Sequence, residues 1–430
     1  MKTKTFIRLT CAILIFAMLL TTGMLQVLAV DADKVEWRPI INRFVGEYGA
    51  QMADNPRLYA EGMYGGDGFQ YIQGAAVGTD GTILMGQDMG SARVSIDFGK
   101  TWYTPANLGN TMHQAVSCAI DPADSNIMFI AMNGSAKIPN VGNHEGIYRS
   151  NDRGQSWTLV KKITDLTTER FYHANFACYP TTGGSPETRI WRFVSSSDNS
   201  DNGHIYTSTD GGVTWDDGVT MSDTTYGEEK YCLVQDPTTS NTLFMGTILG
   251  LFKTTNGGTG WTKMYATSLA GEVHSFWIDP DAPTHYYASV TTTDTAKQGL
   301  WYYNSTSWSR KLSGINPNNF AMGAKDANGK RMIYVHNQDG TTPRIRQLDE
   351  TTWLSSFDIN RTDDDAWVQK SLSGQDQNVF LPHPTIPDAC ISHGNAYWWR
   401  SEGSEGYTWD VSSANFQGPA YHGMSFDPDD

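Results

Sequence analysis

Short apolar runs alternate with polar residues along most of the chain, and Gly, Asn, Asp and Pro punctuate them. Such runs, rich in β-branched and aromatic residues, predict strands, and long helical periodicity is absent beyond the N-terminus. The runs recur as a unit. Each unit opens on an apolar run that often ends in Asp-Pro: "VSCAIDP" (116–122), "YCLVQDP" (231–237) and "HSFWIDP" (274–280), with looser copies "NFACYP" (175–180) and "NVFLPHP" (378–384). A second run follows, as in "NIMFIAM" (126–132) and "NTLFMGT" (241–247). A third comes next, as in "GIYRS" (146–150), "HIYTS" (204–208) and "GLFKT" (250–254), and a fourth starts at a Trp, as in "WTLVKK" (157–162). First runs begin near residues 72, 116, 174, 231, 274, 319 and 378. Four short strands repeated seven times at this spacing predict an all-β fold, a seven-bladed β-propeller of four-stranded antiparallel blades.

Between the third and fourth runs sits a repeated stretch: "SIDFGKTW" (95–102), "SNDRGQSW" (150–157), "STDGGVTW" (208–215) and "TTNGGTGW" (254–261). Decayed copies are "YNSTSW" (303–308), "LDETTW" (348–353) and "SEGYTW" (404–409). The third-position residues Asp97, Asp152, Asp210 and Asn256 are expected to hold turns, because a short side-chain oxygen accepts hydrogen bonds from nearby backbone N–H groups. Asn256 supports this reading, since an amide cannot serve as a general acid. Gly99, Gly154, Gly212 and Gly258 are expected at positive φ, and Trp102, Trp157, Trp215 and Trp261 to bury their rings between neighbouring blades.

The S-x-D-x-G-x-T-W pattern resembles the Asp-box, or BNR repeat, of sialidases, sortilin-type receptors, photosystem assembly factors and two-propeller xyloglucan-degrading endoglucanases. The resemblance covers residues 72–430 and implies Asp-box turns on the face away from the functional site. It implies a fold more firmly than a function, because unrelated activities share the repeat. The segment "GGDGFQYIQGAAVGTDGTILMGQDMGSARVS" (65–95) resembles the first blade of the xyloglucanases, where an Asp-x-Gly-Gly turn carries a catalytic Asp. That implies a catalytic role for Asp88, followed by Gly90 and by Ser91 in place of the second Gly. In that family the partner carboxylate comes from a second propeller.

Composition narrows the partners. The formal net charge of −15 disfavours nucleic acid and anionic membranes, and a neutral or cationic ligand fits better. Lys2, Lys4 and Arg8, the apolar "CAILIFAMLL" and the small residues near 27–29 predict a secretory signal over 1–29 and a secreted product without a membrane span. Residues 30–69 are expected to form an N-terminal strand and lead-in, with "EWRPIIN" (36–42) as a fourth strand. Residues 70–415 would form the propeller. Residues 416–430 open a further blade or close the ring, as expected of a truncated longer protein. Cys118, Cys178, Cys232 and Cys390 lie in separate apolar runs without CxxC spacing, so buried free thiols are expected rather than a zinc site. "DNSDNG" (198–203) begins like a calcium loop, but Thr209 stands where a bidentate acid belongs. Neither metal nor cofactor is expected, and the chain reads as a monomer.

Strand parity locates the chemistry. If the turns joining strands three to four and one to two share one face, the opposite face is built from two-to-three loops and from connections between units. Those segments carry Asp88, Arg93, His113, Glu145, Arg170, His173, Glu229, Tyr231, Glu272 and His274. Two functions compete. A glycoside hydrolase acting on a polysaccharide needs paired carboxylates, one of them held protonated. Asp88 is the first choice for one, with Glu229 and Glu272 as catalytic candidates for the other, and a lyase using His and Tyr is a variant. Arg93, His113, Glu145, Arg170, His173, Tyr231 and His274 would then bind substrate. The alternative is a non-catalytic propeller that binds glycans or protein. Whether two carboxylates approach within roughly 5–10 Å separates the two.

Overall fold

The computed structural model describes residues 42–43, 64–65, 72–87, 92–99, 114–133, 145–162, 172–179, 185–196, 203–264, 269–337, 344–348, 379–387, 389–394, 397–401 and 410–411. All lie in the unit Asn42–Asp430. The expected signal segment, Asp88, Trp102, His113, Arg170 and most of "DNSDNG" fall outside the described residues. Among those described, no helix is long and apolar enough to cross a membrane.

Strands β1 (Asn42–Arg43) and β2 (Tyr64–Gly65) pair with each other, Asn42 opposite Gly65; the rest of the expected strand 36–42 lies outside the described residues. Seven antiparallel meanders then follow in chain order. The first holds β3 (Ile72–Val77), β4 (Ile83–Gln87) and β5 (Ala92–Ser95). The second holds β6 (Gln114–Ile120), β7 (Met128–Asn133), β8 (Gly146–Ser150) and β9 (Thr158–Lys162). The third holds β10 (Tyr172–Tyr179), β11 (Ile190–Ser196), β12 (Gly203–Ser208) and β13 (Val219–Met221), and is followed by a one-turn helix, α1 (Asp223–Tyr226). The fourth holds β14 (Lys230–Gln235), β15 (Leu243–Thr247), β16 (Gly250–Thr254) and β17 (Thr262–Lys263). The fifth holds β18 (Phe276–Ile278), β19 (His285–Val290), β20 (Gly299–Asn304) and β21 (Trp308–Leu312). The sixth holds β22 (Pro317–Lys325), β23 (Arg331–Asn337) and β24 (Arg344–Leu348). The seventh holds β25 (Val379–Pro382), β26 (Cys390–Gly394), β27 (Tyr397–Ser401) and β28 (Asp410–Val411).

In the second and fourth sheets burial falls from the second strand to the fourth. Second strands β7 and β15 are buried at every position, whereas the fourth strand β9 is half-exposed to exposed. A strand covered on both faces by neighbouring sheets reads as a continuous apolar run, which is why "MFIAM" does not alternate. The apolar clusters lie between consecutive sheets. Leu84, Val94, Met128, Ile130 and Trp157 join the first to the second, and Phe129, Trp191, Phe193 and Tyr206, with Trp215 against them, join the second to the third. Trp261 packs on the cluster between third and fourth. The seventh sheet packs back on the first through Leu381 and Ile391 against Ile83, Met85 and Phe98. His383 supplies an edge-on ring contact to Phe98 at 4.7 Å. Polar clasps reinforce the seams: Arg153–Asp80, Arg189–Asp121 and Arg331–Asp281 each bind one sheet to the next.

In five meanders the ladder between first and second strands slips by one residue near the first strand's start. The slips fall between Ile72 and Gly74, Ala115 and Ser117, Tyr172 and Asn175, Lys230 and Cys232, and Pro317 and Asn319. Each is a β-bulge that leaves one unpaired residue and re-aims it. Tyr231 occupies one such position.

The repeated stretches fold into near-identical turns after the third strands. The first-position hydroxyl is the hub: Ser95, Ser150 and Ser208 donate to Asp97, Asp152 and Asp210 and accept from the N–H of Gly99, Gly154 and Gly212. Thr254 does the same for Asn256 and Gly258. The four glycines lie at φ 83, 77, 82 and 101°. Trp157, Trp215 and Trp261 each donate the indole N–H to the carbonyl of the turn glycine. Burial opposes ionisation of Asp152 and Asp210. Hydrogen bonds from Ser156 and Thr214 outweigh it, so both carboxyls lie below their usual range.

Candidate functional site

The connections leading into the fourth and fifth sheets bring two glutamates together. Glu229 sits directly before β14, where Lys230 pairs with Thr247, and its carbonyl accepts from Ile248 N–H at 3.1 Å. Glu272 is fixed by a two-way backbone bridge to Thr291, 2.9 Å in each direction. The next residue crosses to the neighbouring sheet, because Val273 N–H donates to the Thr247 carbonyl at 3.0 Å. Gly246 permits the crossing, since a Cβ there would lie 2.3 Å from the Val273 carbonyl oxygen.

Tyr231, re-aimed by its bulge, lies between the two acids. Its hydroxyl donates to Glu229 Oε2 and lies 3.1 Å from Glu272 Oε2. His274 Nε2 is 2.8 Å from the same Glu272 oxygen. The Tyr231 and His274 rings stack with centroids 3.8 Å apart and planes 12° from parallel. The result is a chain of four groups, Glu229–Tyr231–Glu272–His274, with the Glu272 side chain 37% and the His274 side chain 18% exposed. Burial, then the hydrogen bond to Glu229, pushes the Tyr231 hydroxyl far above its ordinary pKa. Burial lowers His274 below 6.5, although Glu272 and then Glu229 pull the other way.

Registers place this chain at one end of the fourth sheet. Lys230, Thr247 and Gly250 line that end, while Gln235, Leu243 and Thr254, which leads into the Asn256 turn, line the other. Four residue steps along β15 and β16 separate the two ends, about 14 Å.

Lys230 escaped the sequence reading. It opens β14 fully buried, with Nζ 2.5 Å from Asp223 Oδ1 at the start of α1. Gly203 makes room for it, since a Cβ there would meet Nζ at 2.9 Å. The signal was a charged run, "GEEKY" (227–231), intruding on an otherwise apolar first strand.

Arg93, Glu145 and His173 belong to other sheets. Arg93 is in β5 opposite Met85, and Glu145 is completely buried immediately before β8 in the second sheet. His173 lies at the bulge of β10, and its side chain falls outside the described residues. Among the described residues no three His, Cys, Asp or Glu side chains are grouped to hold a metal ion. The four cysteines are free, with Cys390 buried and the others half-buried.

No protein-family profile matches the chain. Over 215 residues it is 28% identical to xyloglucanase Xgh74A of Acetivibrio thermocellus, covering 43% of this chain and 22% of that protein. A second sequence of that name from the same organism is 30% identical over 148 residues, covering 30% of this chain and 16% of it. The matched stretches thus span about a fifth of those relatives' own length. Among solved structures, an ancestral GH74 enzyme superposes with a TM-score of 0.57 at 16% identity, covering 81% of this chain and 46% of that one. The GH74 xyloglucanase from Xanthomonas campestris gives 0.51 at 14% identity, covering 79% and 53%. At these identities the structural likeness establishes the fold, a GH74-like β-propeller.

Proposed function

We propose that this chain is a secreted glycoside hydrolase of a polysaccharide, with a xyloglucan-type β-glucan as first candidate. We read its seven meanders as seven propeller blades and the repeated turns as Asp-box turns. The return of the seventh sheet onto the first and the Ser–Asp–Gly–Trp hydrogen bonds support those two readings. The observation that carries the functional reading is the pair Glu229 and Glu272. Their oxygens lie within hydrogen-bond reach of one hydroxyl, hence within about 6 Å of each other, and glycoside hydrolysis needs a carboxylic acid that donates a proton opposite a second carboxylate. In this proposal the pair supplies the proton to the glycosidic oxygen. Asp88, which the first-blade resemblance selects, provides the opposing carboxylate. The similarity to a protein named as a xyloglucanase supports the choice of substrate.

The test is release of reducing ends by the mature protein from xyloglucan and a panel of plant and bacterial polysaccharides. Glu272→Gln and Asp88→Asn should each reduce turnover at least a hundredfold while leaving the fold intact. Wild-type protein that binds a glycan but releases no reducing ends would replace this reading with a second one, a non-catalytic glycan-binding propeller.

A further inference from the structure

Tyr231 holds one proton and touches two carboxylates. Its O–H donates to Glu229, so the 3.1 Å contact to Glu272 Oε2 cannot be served by that proton at the same time. Glu272 has a second neighbour in His274, whose Nε2 is 2.8 Å from the same oxygen. The four groups form a chain of O, O, O and N atoms at hydrogen-bond spacing. The two rings in it are locked face to face, and the backbones of Glu229 and Glu272 are pinned by Ile248 and Thr291.

We propose that Tyr231 is a proton relay between Glu229 and Glu272, and that His274 positions Glu272 rather than contacting substrate. A proton on Glu272 passes to the Tyr231 oxygen as the phenol's own proton passes to Glu229 Oε2, or the reverse. One O–H bond breaks and one forms at the phenol, which is neutral before and after. The carboxyl that lost its proton is left anionic, and the one that gained it is left neutral. The raised pKa of Tyr231 suits this task, because the phenol carries protons without resting as a phenolate. The consequence for turnover rests on the hydrolase reading: whichever glutamate faces the glycosidic oxygen can be recharged from the other without solvent. The existence of the relay does not depend on that reading.

The test reads the titration of His274 by NMR with labelled histidine, assigned by loss of its signal in His274→Gln. Glu229→Gln should lower the His274 pKa, because the Glu229 charge raises it. If the coupling runs through the phenol, that downward shift should fall by more than half in a Tyr231→Phe background, which keeps the stacked ring. Should Tyr231→Phe fail to fold, Glu272→Gln breaks the same chain one link further on and should likewise remove the effect. An equal shift in both backgrounds means direct charge–charge coupling through space and overturns the relay. In a turnover assay, Tyr231→Phe should lower kcat and leave KM unchanged. Wild-type protein without turnover removes the hydrolase reading but leaves the titration result to decide the relay.

Discussion

The pair Lys230–Asp223 offers a quantitative test of how the candidate site is supported. Both side chains are at least nine-tenths buried and meet at 2.5 Å, so neither charge is well compensated by water. Removing one partner of such a pair and leaving the other buried costs about 3–5 kcal/mol, whereas neutralising both at similar volume is close to neutral. Lys230→Met should therefore lower the unfolding free energy by about 3 kcal/mol or more. Lys230→Met with Asp223→Asn should recover at least about 2 kcal/mol of that loss. Asp223→Asn alone should behave differently with pH. Burial already lowers the Lys230 pKa and Asp223 pulls it back up, so without Asp223 the ammonium sheds its proton earlier in the folded state. The folded chain then binds fewer protons than the unfolded one, and the defect shrinks as pH rises towards 10.5. Urea unfolding followed by tryptophan fluorescence measures each value. Single substitutions costing under about 1 kcal/mol, or effects that simply add in the double variant, would refute the reasoning.

Three further outcomes are expected. Ser208→Ala removes the hydroxyl that joins Asp210 to the Gly212 N–H and should cost about 1–3 kcal/mol; Asp97→Ala should destabilise similarly, and a loss of activity at unchanged Tm in either would assign the turn a direct part in the chemistry. Burial holds His274 neutral below its ordinary 6.5, so the unfolded chain takes up a proton first and stability declines as pH falls below 6.5; a His274→Gln variant with the same decline between pH 7.5 and 5.5 would contradict this. Gly246→Ala forces a methyl onto the Val273 carbonyl and should cost about 1–3 kcal/mol by thermal unfolding, while separating Glu272 from Glu229; unchanged stability and unchanged His274 titration together would show that the crossing tolerates the extra atom.

Much of the strand order was legible because each apolar run is bounded by turn residues. The expected first-strand starts near 72, 116, 174, 231, 274, 319 and 378 compare with Ile72, Gln114, Tyr172, Lys230, Phe276, Pro317 and Val379. The role of Asp152 and Asp210 as turn acceptors was legible from residue type, but that of Ser150 and Ser208 as hubs was not. A serine before an aspartate has no distinctive pattern until the backbone brings a glycine N–H four residues on to its hydroxyl. Glu229, Tyr231, Glu272 and His274 could be assigned to one face by strand parity. Their contact could not be foreseen, because it depends on a register slip at Tyr231 and on the crossing that Gly246 admits. Periodicity of two is blind to a slip, which changes which way a residue points without changing its letter. Glu145 shows the converse: a polar letter in a loop suggested a substrate contact, and packing buried it.

The bulge at Tyr231 separates what a residue contributes to folding from what it presents at the surface. Tyr231 stands outside the ladder, so exchanging it leaves the pairing of Lys230 and Cys232 as it was; Val116, at the matching slip of the second sheet, is instead 4% exposed and part of the core. Along most of a buried strand the same exchange would compete with packing on both faces. Under drift or selection such a position varies like a single word while the grammar of the sheet is kept. Substitutions at Tyr231 would change what this end of the fourth sheet presents in a population that is still mostly folded, so one architecture can change its surface through intermediates that never lose their structure.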